Sequence, residues 1–216
     1  MGSLDAQQAR ERTTSERAKR LAWTELVKRL GCRYQNCTLE GYKIYAPAQR
    51  DVVDAVRSYG DRLPELVRAG QGLLLFGSVG TGKDHLMAYL MRRAVAEHGF
   101  LSLSWINGID WYGANRDRID EGRSEAEAVR LLTLPAIVAI SDPVPSWSTM
   151  RPYQIEMLYR VLDGRARQCR ATWLTMNIAD GAQAQEQLGG QIVSRLRQDC
   201  QAVACFWPDY RSRKGD

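Results

Sequence analysis

The segment Gly72-Leu73-Leu74-Leu75-Phe76-Gly77-Ser78-Val79-Gly80-Thr81-Gly82-Lys83-Asp84-His85 constrains this chain most, because an apolar strand breaks into a glycine-rich turn that ends on a lysine. Glycines at 77, 80 and 82 let the backbone take conformations closed to other residues, so successive N–H groups can converge on phosphate oxygens. Lys83 would then reach the β- and γ-phosphates of a nucleotide. A bare G-x-x-x-x-G-K match arises by chance, but Leu86, Met87, Leu90, Met91, Ala94 and Val95 follow at helical spacing and complete the strand–loop–helix setting. The residues expected to cradle the nucleotide are Gly77, Ser78, Val79, Gly80, Thr81, Gly82, Lys83, Asp84 and His85. The last loop position normally carries a Ser or Thr hydroxyl for Mg²⁺, and here it is Asp84.

Strand patterns at 72–76, 101–105, 136–141, 171–176 and 202–206 alternate with helical patterns at 82–98, about 108–118, 124–132, 150–167 and 182–197. Such alternation predicts an α/β fold of three layers, a parallel sheet covered by helices on both faces. In open sheets of this kind ligands bind beyond the carboxyl ends of the strands, where Gly77–Lys83 falls. Ahead of the sheet, residues 1 to about 30 read as a polar start running into an amphipathic helix, with Ala18, Leu21, Ala22, Leu26, Val27 and Leu30 on one side and Gly31 as a stop. That stripe needs a partner surface, either the chain's own core or another protein, and periodicity does not distinguish them. The expected organisation is a short helical arm over 1–35 and a single domain over 36–216.

At 216 residues and 44% hydrophobic, the chain can bury one sizeable core. No apolar run approaches the ~20 residues that cross a bilayer, and the polar N-terminus has no apolar secretory segment, so the expected setting is cytoplasmic with no membrane partner. Five cysteines form an odd set without C-x-x-C pairs, which argues reduced thiols. Cys32 and Cys37 have half of a zinc spacing, but neither histidine lies near them in sequence. The net charge of +5 is mild and unevenly placed: Arg10, Arg12, Arg17, Lys19, Arg20, Lys28 and Arg29 crowd the arm, and Arg195, Arg197, Arg211, Arg213 and Lys214 crowd the C-terminus. In the arm, Glu11, Glu16 and Glu25 are interleaved, so a solvated helix face and a binding face remain equal readings.

A phosphate loop calls for an acid at the end of a second apolar strand, to hold Mg²⁺ and orient the attacking water. Pro135-Ala136-Ile137-Val138-Ala139-Ile140-Ser141-Asp142 suits, and it ends on Ser and Asp where two acids are usual. A hydroxyl and a carboxylate have thus exchanged places between Asp84 and Ser141. Mg²⁺ accepts oxygen ligands of either kind, so Asp84, Ser141 and Asp142 are the expected metal set, with slow hydrolysis, or binding without hydrolysis, a consequence to be tested.

With these residues placed, the chain from about Tyr34 onward resembles the helicase-loader branch of the AAA+ ATPases, the DnaC-type loaders, together with the related IstB-type transposition helpers. Asn36-Cys37-Thr38-Leu39-Glu40-Gly41-Tyr42 looks like the family's entry segment and Gly80-Thr81-Gly82-Lys83-Asp84-His85-Leu86 like its phosphate loop. Tyr153 through Asp163 and Arg165 looks like the helix after the acidic strand, and Thr172-Trp173-Leu174-Thr175-Met176-Asn177 like the strand with the first sensor. Leu188-Gly189 with Ile192 and Ser194-Arg195-Leu196 looks like the arginine-finger helix, and Tyr210-Arg211-Ser212-Arg213 like the second-sensor segment. Each match is short; the series in order is specific.

The resemblance implies an ATP-dependent replication helper of helicase-loader type that binds ATP or ADP with Mg²⁺ and self-associates into a ring or spiral. It would grip single-stranded DNA and assist a hexameric replicative helicase. The implied catalytic residues are Asp142, which orients water; Asn177, at the γ-phosphate or the water; Arg195, reaching a neighbouring subunit's site; and Arg211, sensing the γ-phosphate in its own. For Asn177 a simple strand-end cap is as good an account, and for the two arginines the alternative is a surface ion pair. Trp111, Tyr112, Arg116 and Arg118 lie where loaders grip DNA; rings that stack on bases beside arginines that follow phosphates suit sequence-independent binding, and packing of the two rings on the sheet is the equal alternative. Competing functions are a transposition helper acting on duplex DNA with a transposase, and a nucleotide-binding regulator that acts only through another protein.

Overall fold

The computed structural model describes residues 2–122 and 124–213, and side-chain surroundings for 11–122 and 124–212. Lys214 of the C-terminal basic group lies outside the described residues, as do the side chains of Arg10 and Arg213.

Helix α1 (Gly2–Leu30) leads into α2 (Pro47–Asp61) and α3 (Leu63–Arg68). Then β1 (Gly72–Gly77), α4 (Lys83–Ala96), β2 (Leu103–Asn107), α5 (Gly108–Asp120), α6 (Glu125–Thr133) and β3 (Ile137–Ser141) follow. The chain finishes with α7 (Pro152–Ala166), β4 (Ala171–Met176), α8 (Gly181–Asp199), β5 (Cys200–Cys205) and a short 3₁₀ turn, Tyr210–Arg213. Every expected strand and helix from residue 72 onward is present, displaced by at most two residues at either end. The five strands form one sheet in the order β2-β3-β4-β1-β5, and every pairing is parallel. Among the described residues no helix is long and apolar enough to cross a membrane.

Period-two alternation divides the core between the faces of the sheet. Leu73 and Leu75 of β1 pack with α2, α3 and α4 on one face, through Val56, Tyr59, Leu63, Leu86 and Leu90. On the other, Val138, Ile140, Leu174 and Met176 meet Leu132, Leu158, Val161 and Leu196 of α6, α7 and α8. Arg165 of α7 is fully buried, and its five guanidinium N–H donors meet Thr172 Oγ1 and the carbonyls of Leu132, Pro135, Ala136 and Ala171. Those bonds tie the link between α6 and β3 to β4.

The amphipathic stripe of α1 turns inward. Leu26 and Leu30 are buried in the first core with Trp23 against it, Lys19 Nζ donates to the Ala96 carbonyl at 3.1 Å, and Arg29 donates to Ser104 Oγ at 3.1 Å. Leu21, expected on the same stripe, is instead 58% exposed. The inner turns of α1 are therefore continuous with the core of the sheet.

Candidate nucleotide-binding site

The turn between β1 and α4 sits at the carboxyl edge of the sheet, as the open-sheet rule requires. Gly77 has φ of 137°, and a Cβ there would lie 2.2 Å from the Cys205 carbonyl oxygen. The neighbouring strand thus comes so close that no side chain fits. The loop ends at the N-terminus of α4, whose free N–H groups and dipole favour an anion.

Lys83 is buried, and its ammonium donates to the Gly77 and Ser78 carbonyls at 3.3 and 2.7 Å and to Asn177 Oδ1 at 2.8 Å. The other end of the Asn177 amide donates to Asp142 Oδ1 at 2.8 Å. This orientation is dictated by its partners, because a flipped amide would aim N–H groups at an ammonium. A relay Lys83–Asn177–Asp142 thus crosses the mouth of the loop. Asp142 has a positive φ of 46°. Burial, with Asp84 nearby, pushes its carboxyl up to about 6, against the pull of Lys83 and Arg211. Burial also lowers the Lys83 ammonium from its ordinary value, with Cys205, Asp142 and Asp84 opposing.

Asp84 and Ser141, which the sequence pairs as an exchanged carboxylate and hydroxyl, are in contact. Ser141 Oγ lies 3.0 Å from both Asp84 carboxylate oxygens, and Thr175 Oγ1 donates to Asp84 Oδ1 at 2.7 Å. Ser141 and Thr175 are register partners on adjacent parallel strands, so their hydroxyls project from one face of the sheet. Thr175 was not among the expected site residues; its signal was the polar residue two before Asn177 in an apolar strand, on the opposite parity from buried Leu174. The oxygen donors of Asp84, Ser141 and Asp142 suit a hard divalent ion completed by phosphate oxygens and water. Among the described residues no three His, Cys, Asp or Glu side chains gather as a self-sufficient metal cluster.

A cleft of about 500 Å³ opens over the loop, lined among others by Tyr34, Tyr42, Tyr45, Lys83, Asp142 and Arg211. That is ample for a nucleotide. Tyr42 O–H and Trp207 Nε1 both donate to the Thr81 carbonyl, at 2.7 and 3.2 Å, so the entry segment and the C-terminal tail clamp the loop. His85 meets the Thr38 carbonyl at 2.8 Å, anchoring the entry segment from within α4.

The remaining expected residues divide. Arg211 borders the cleft, whereas Arg195 lies beside Gly70 and Cys200 at the amino ends of β1 and β5, where it pairs with Asp163 at 2.7 Å. Arg195 therefore does not serve the site of its own chain. Trp111 and Arg118 are half-buried, Trp111 against the second core, and Arg116 is exposed. Tyr112 is 1% exposed and belongs to the second core, so of the two readings of its ring the packing one holds.

No family model matches the chain. The replicative helicase loader DnaC of Buchnera aphidicola (subsp. Schizaphis graminum) is 24% identical over 196 residues, 89% of this chain and 77% of that protein. DnaC of Escherichia coli K12 is 24% identical over 182 residues, 83% of this chain and 71% of that one. A crystal structure of the DnaC helicase loader superposes with a TM-score of 0.72 at 19% identity, covering 81% of this chain and 99% of that one. The chain is similar to the DnaC-type helicase loaders. AMPPCP-bound DnaA from Aquifex aeolicus shares the same fold at a TM-score of 0.62 and 17% identity, over 81% of this chain and 51% of that one. The architecture is thus an α/β P-loop fold, with Asp84 and Ser141 in contact at its loop.

Proposed function

We propose that this chain is an ATP-dependent replication helper of helicase-loader type, which binds ATP or ADP with Mg²⁺ and single-stranded DNA and assists placement of a hexameric helicase. The observation that carries the reading is the relay from Lys83 through Asn177 to Asp142 at the mouth of a glycine loop, in a chain similar to DnaC. Lys83 and the loop N–H groups bind phosphates, Asn177 sits between the ammonium and the acid where a γ-phosphate would meet both, and Asp142 orients the attacking water. Asp84, Ser141 and Asp142 would hold Mg²⁺, which supplies charge neutralisation on the phosphates. Trp111, Arg116 and Arg118 are the DNA contacts of this reading, and the outer part of α1 is its helicase contact.

A second reading, a nucleotide-binding regulator with little turnover, is favoured by Asp84 itself. Its carboxylate stands at the N-terminus of α4, where the resemblance implies a neutral side chain, and it brings a negative charge towards the phosphates.

Calorimetry with ATP, ADP and Mg²⁺ tests both. Lys83→Ala should abolish binding, and unchanged affinity in that variant removes the nucleotide reading altogether. Asp84→Thr with Ser141→Asp should raise hydrolysis above the native rate and exceed either single change, because the two side chains touch. No gain in the double variant leaves the regulator as the better account. Recovery of a transposase in place of a helicase from the native host would move the assignment to the IstB-type helpers.

A further inference from the structure

The tail beyond β5 is bolted to the phosphate loop. Ser78 N–H donates to the Cys205 carbonyl at 3.1 Å, Tyr210 N–H to the Gly80 carbonyl at 3.0 Å, and Tyr45 O–H to the Pro208 carbonyl at 2.7 Å. Within this tail the Asp209 carboxylate lies directly on Gly80. A Cβ at Gly80 would stand 1.8 Å from Asp209 Oδ1, so that placement requires glycine in addition to the positive φ of 73°. The same Oδ1 accepts from the Arg211 backbone N–H at 2.8 Å and from Arg211 Nε at 3.2 Å. These bonds hold the Asp209 carboxyl below its usual range, so it is an anion at neutral pH. Arg211 borders the cleft and is close enough to influence both Lys83 and Asp142.

A carboxylate is thus placed against a loop built to receive phosphates, and it is bound to Arg211, which with Arg33 brings a guanidinium to the border of the cleft. Its charge opposes any nucleotide there, and its partner is the cation a terminal phosphate would claim. We propose that Asp209 is a positioning residue, an internal anion that holds Arg211 until a third phosphate displaces it, and so sets how strongly this chain prefers a nucleoside triphosphate to a diphosphate. The guanidinium exchanges one oxyanion for another, with no covalent step. Since the pair is largely solvent-exposed, at 57% for Arg211 and 34% for Asp209, the effect is modest.

The inference rests on the nucleotide-binding reading above, and the experiment separates the two. Affinities for ADP and for a non-hydrolysable ATP analogue, with Mg²⁺, are measured by calorimetry in the native chain, Asp209→Asn, Arg211→Ala and the double variant. Asparagine keeps the acceptor for the Arg211 N–H and removes the charge. The Asp209→Asn change should raise the ratio of triphosphate to diphosphate affinity about three- to fivefold, and the gain should vanish in the Arg211→Ala background. An equal gain for both nucleotides would mean that Asp209 acts only as a general repulsive charge and would overturn the proposal. So would a ratio that stays constant, or one that rises equally without Arg211. Failure of the native chain to bind either nucleotide overturns the nucleotide reading and the inference with it.

Discussion

Asp142 concentrates the electrostatic tension of the site in one residue. It combines a left-handed backbone, which disfavours most side chains, with a carboxyl pushed up to about 6 by burial and by Asp84. In the unfolded chain the same group ionises near 4. Between these values the folded state binds more protons than the unfolded one, so stability falls as pH rises through this window and stays lower above it. Asparagine at this position carries no charge, tolerates positive φ and still accepts from Asn177. Asp142→Asn should therefore stabilise the nucleotide-free protein by on the order of 2 kcal/mol at pH 8, with the gain shrinking toward pH 4. Urea unfolding at the two pH values measures it, and a gain that does not change with pH would assign the effect to the backbone instead. The candidate site was largely legible at this scale, since Lys83, Asp84, Ser141 and Asp142 were named by local pattern and Asn177 by the family resemblance. Thr175 and Asp209 were not, because each matters only through a side chain or backbone far away in sequence.

At the scale of elements, the join between α6, α7 and β4 depends on one cation. Arg165 is buried and its partners are a hydroxyl and four carbonyls, so no charge neutralises it directly, yet each N–H is matched. Arg165→Met keeps much of the volume but leaves those carbonyls unpaired, and should lose about 3 kcal/mol or more, read as a shift of the urea midpoint at unchanged slope. A loss below about 1 kcal/mol would show that water reaches the carbonyls and that the fork is dispensable. Helix α8 carries its own irregularity, since Gly189 sits inside it at φ of 77° and breaks it into two segments. The second segment carries Leu196 into the core and Arg195 to the amino edge of the sheet. Sequence periodicity located the helix but could not report the kink, because apolar spacing continues through it.

On the scale of the whole molecule, the nucleotide cleft and Arg195 lie at opposite ends of the strands, the separation that the proposed action of Arg195 on a neighbouring subunit's site requires. Single-stranded DNA should bind weakly to the monomer and tightly to an ATP-bound assembly, because each subunit offers few stacking and phosphate contacts and a spiral multiplies them. Rings that reach solvent, fully or in part, are the ones able to stack. Trp147, in the loop between β3 and α7, is 74% exposed, whereas Tyr112 is in the core. Alanine at Trp111, Arg116 or Trp147 should weaken binding of a labelled oligonucleotide without lowering ATP affinity, while Arg195→Ala should remove the ATP-dependent gain. Anisotropy across a salt series measures both, and binding indifferent to salt, nucleotide and these changes would end the DNA-gripping account.

Local order decided the kinds of element and the identity of the phosphate loop. Alternating and helical spacings, the glycines at 77, 80 and 82, and the lysine after them act over a few residues, and those forces are readable along the chain. Neighbours across the sheet were decided only by the fold. Placing β4 between β3 and β1 sets Thr175 beside Ser141 and puts Asn177 between Lys83 and Asp142. Docking the tail on the loop sets Asp209 on Gly80, and docking α1 on α4 and β2 buries Leu26 and Leu30 while leaving Leu21 in water. These contacts join residues tens to more than a hundred positions apart, and their energies depend on which surfaces finally meet, which no local pattern encodes.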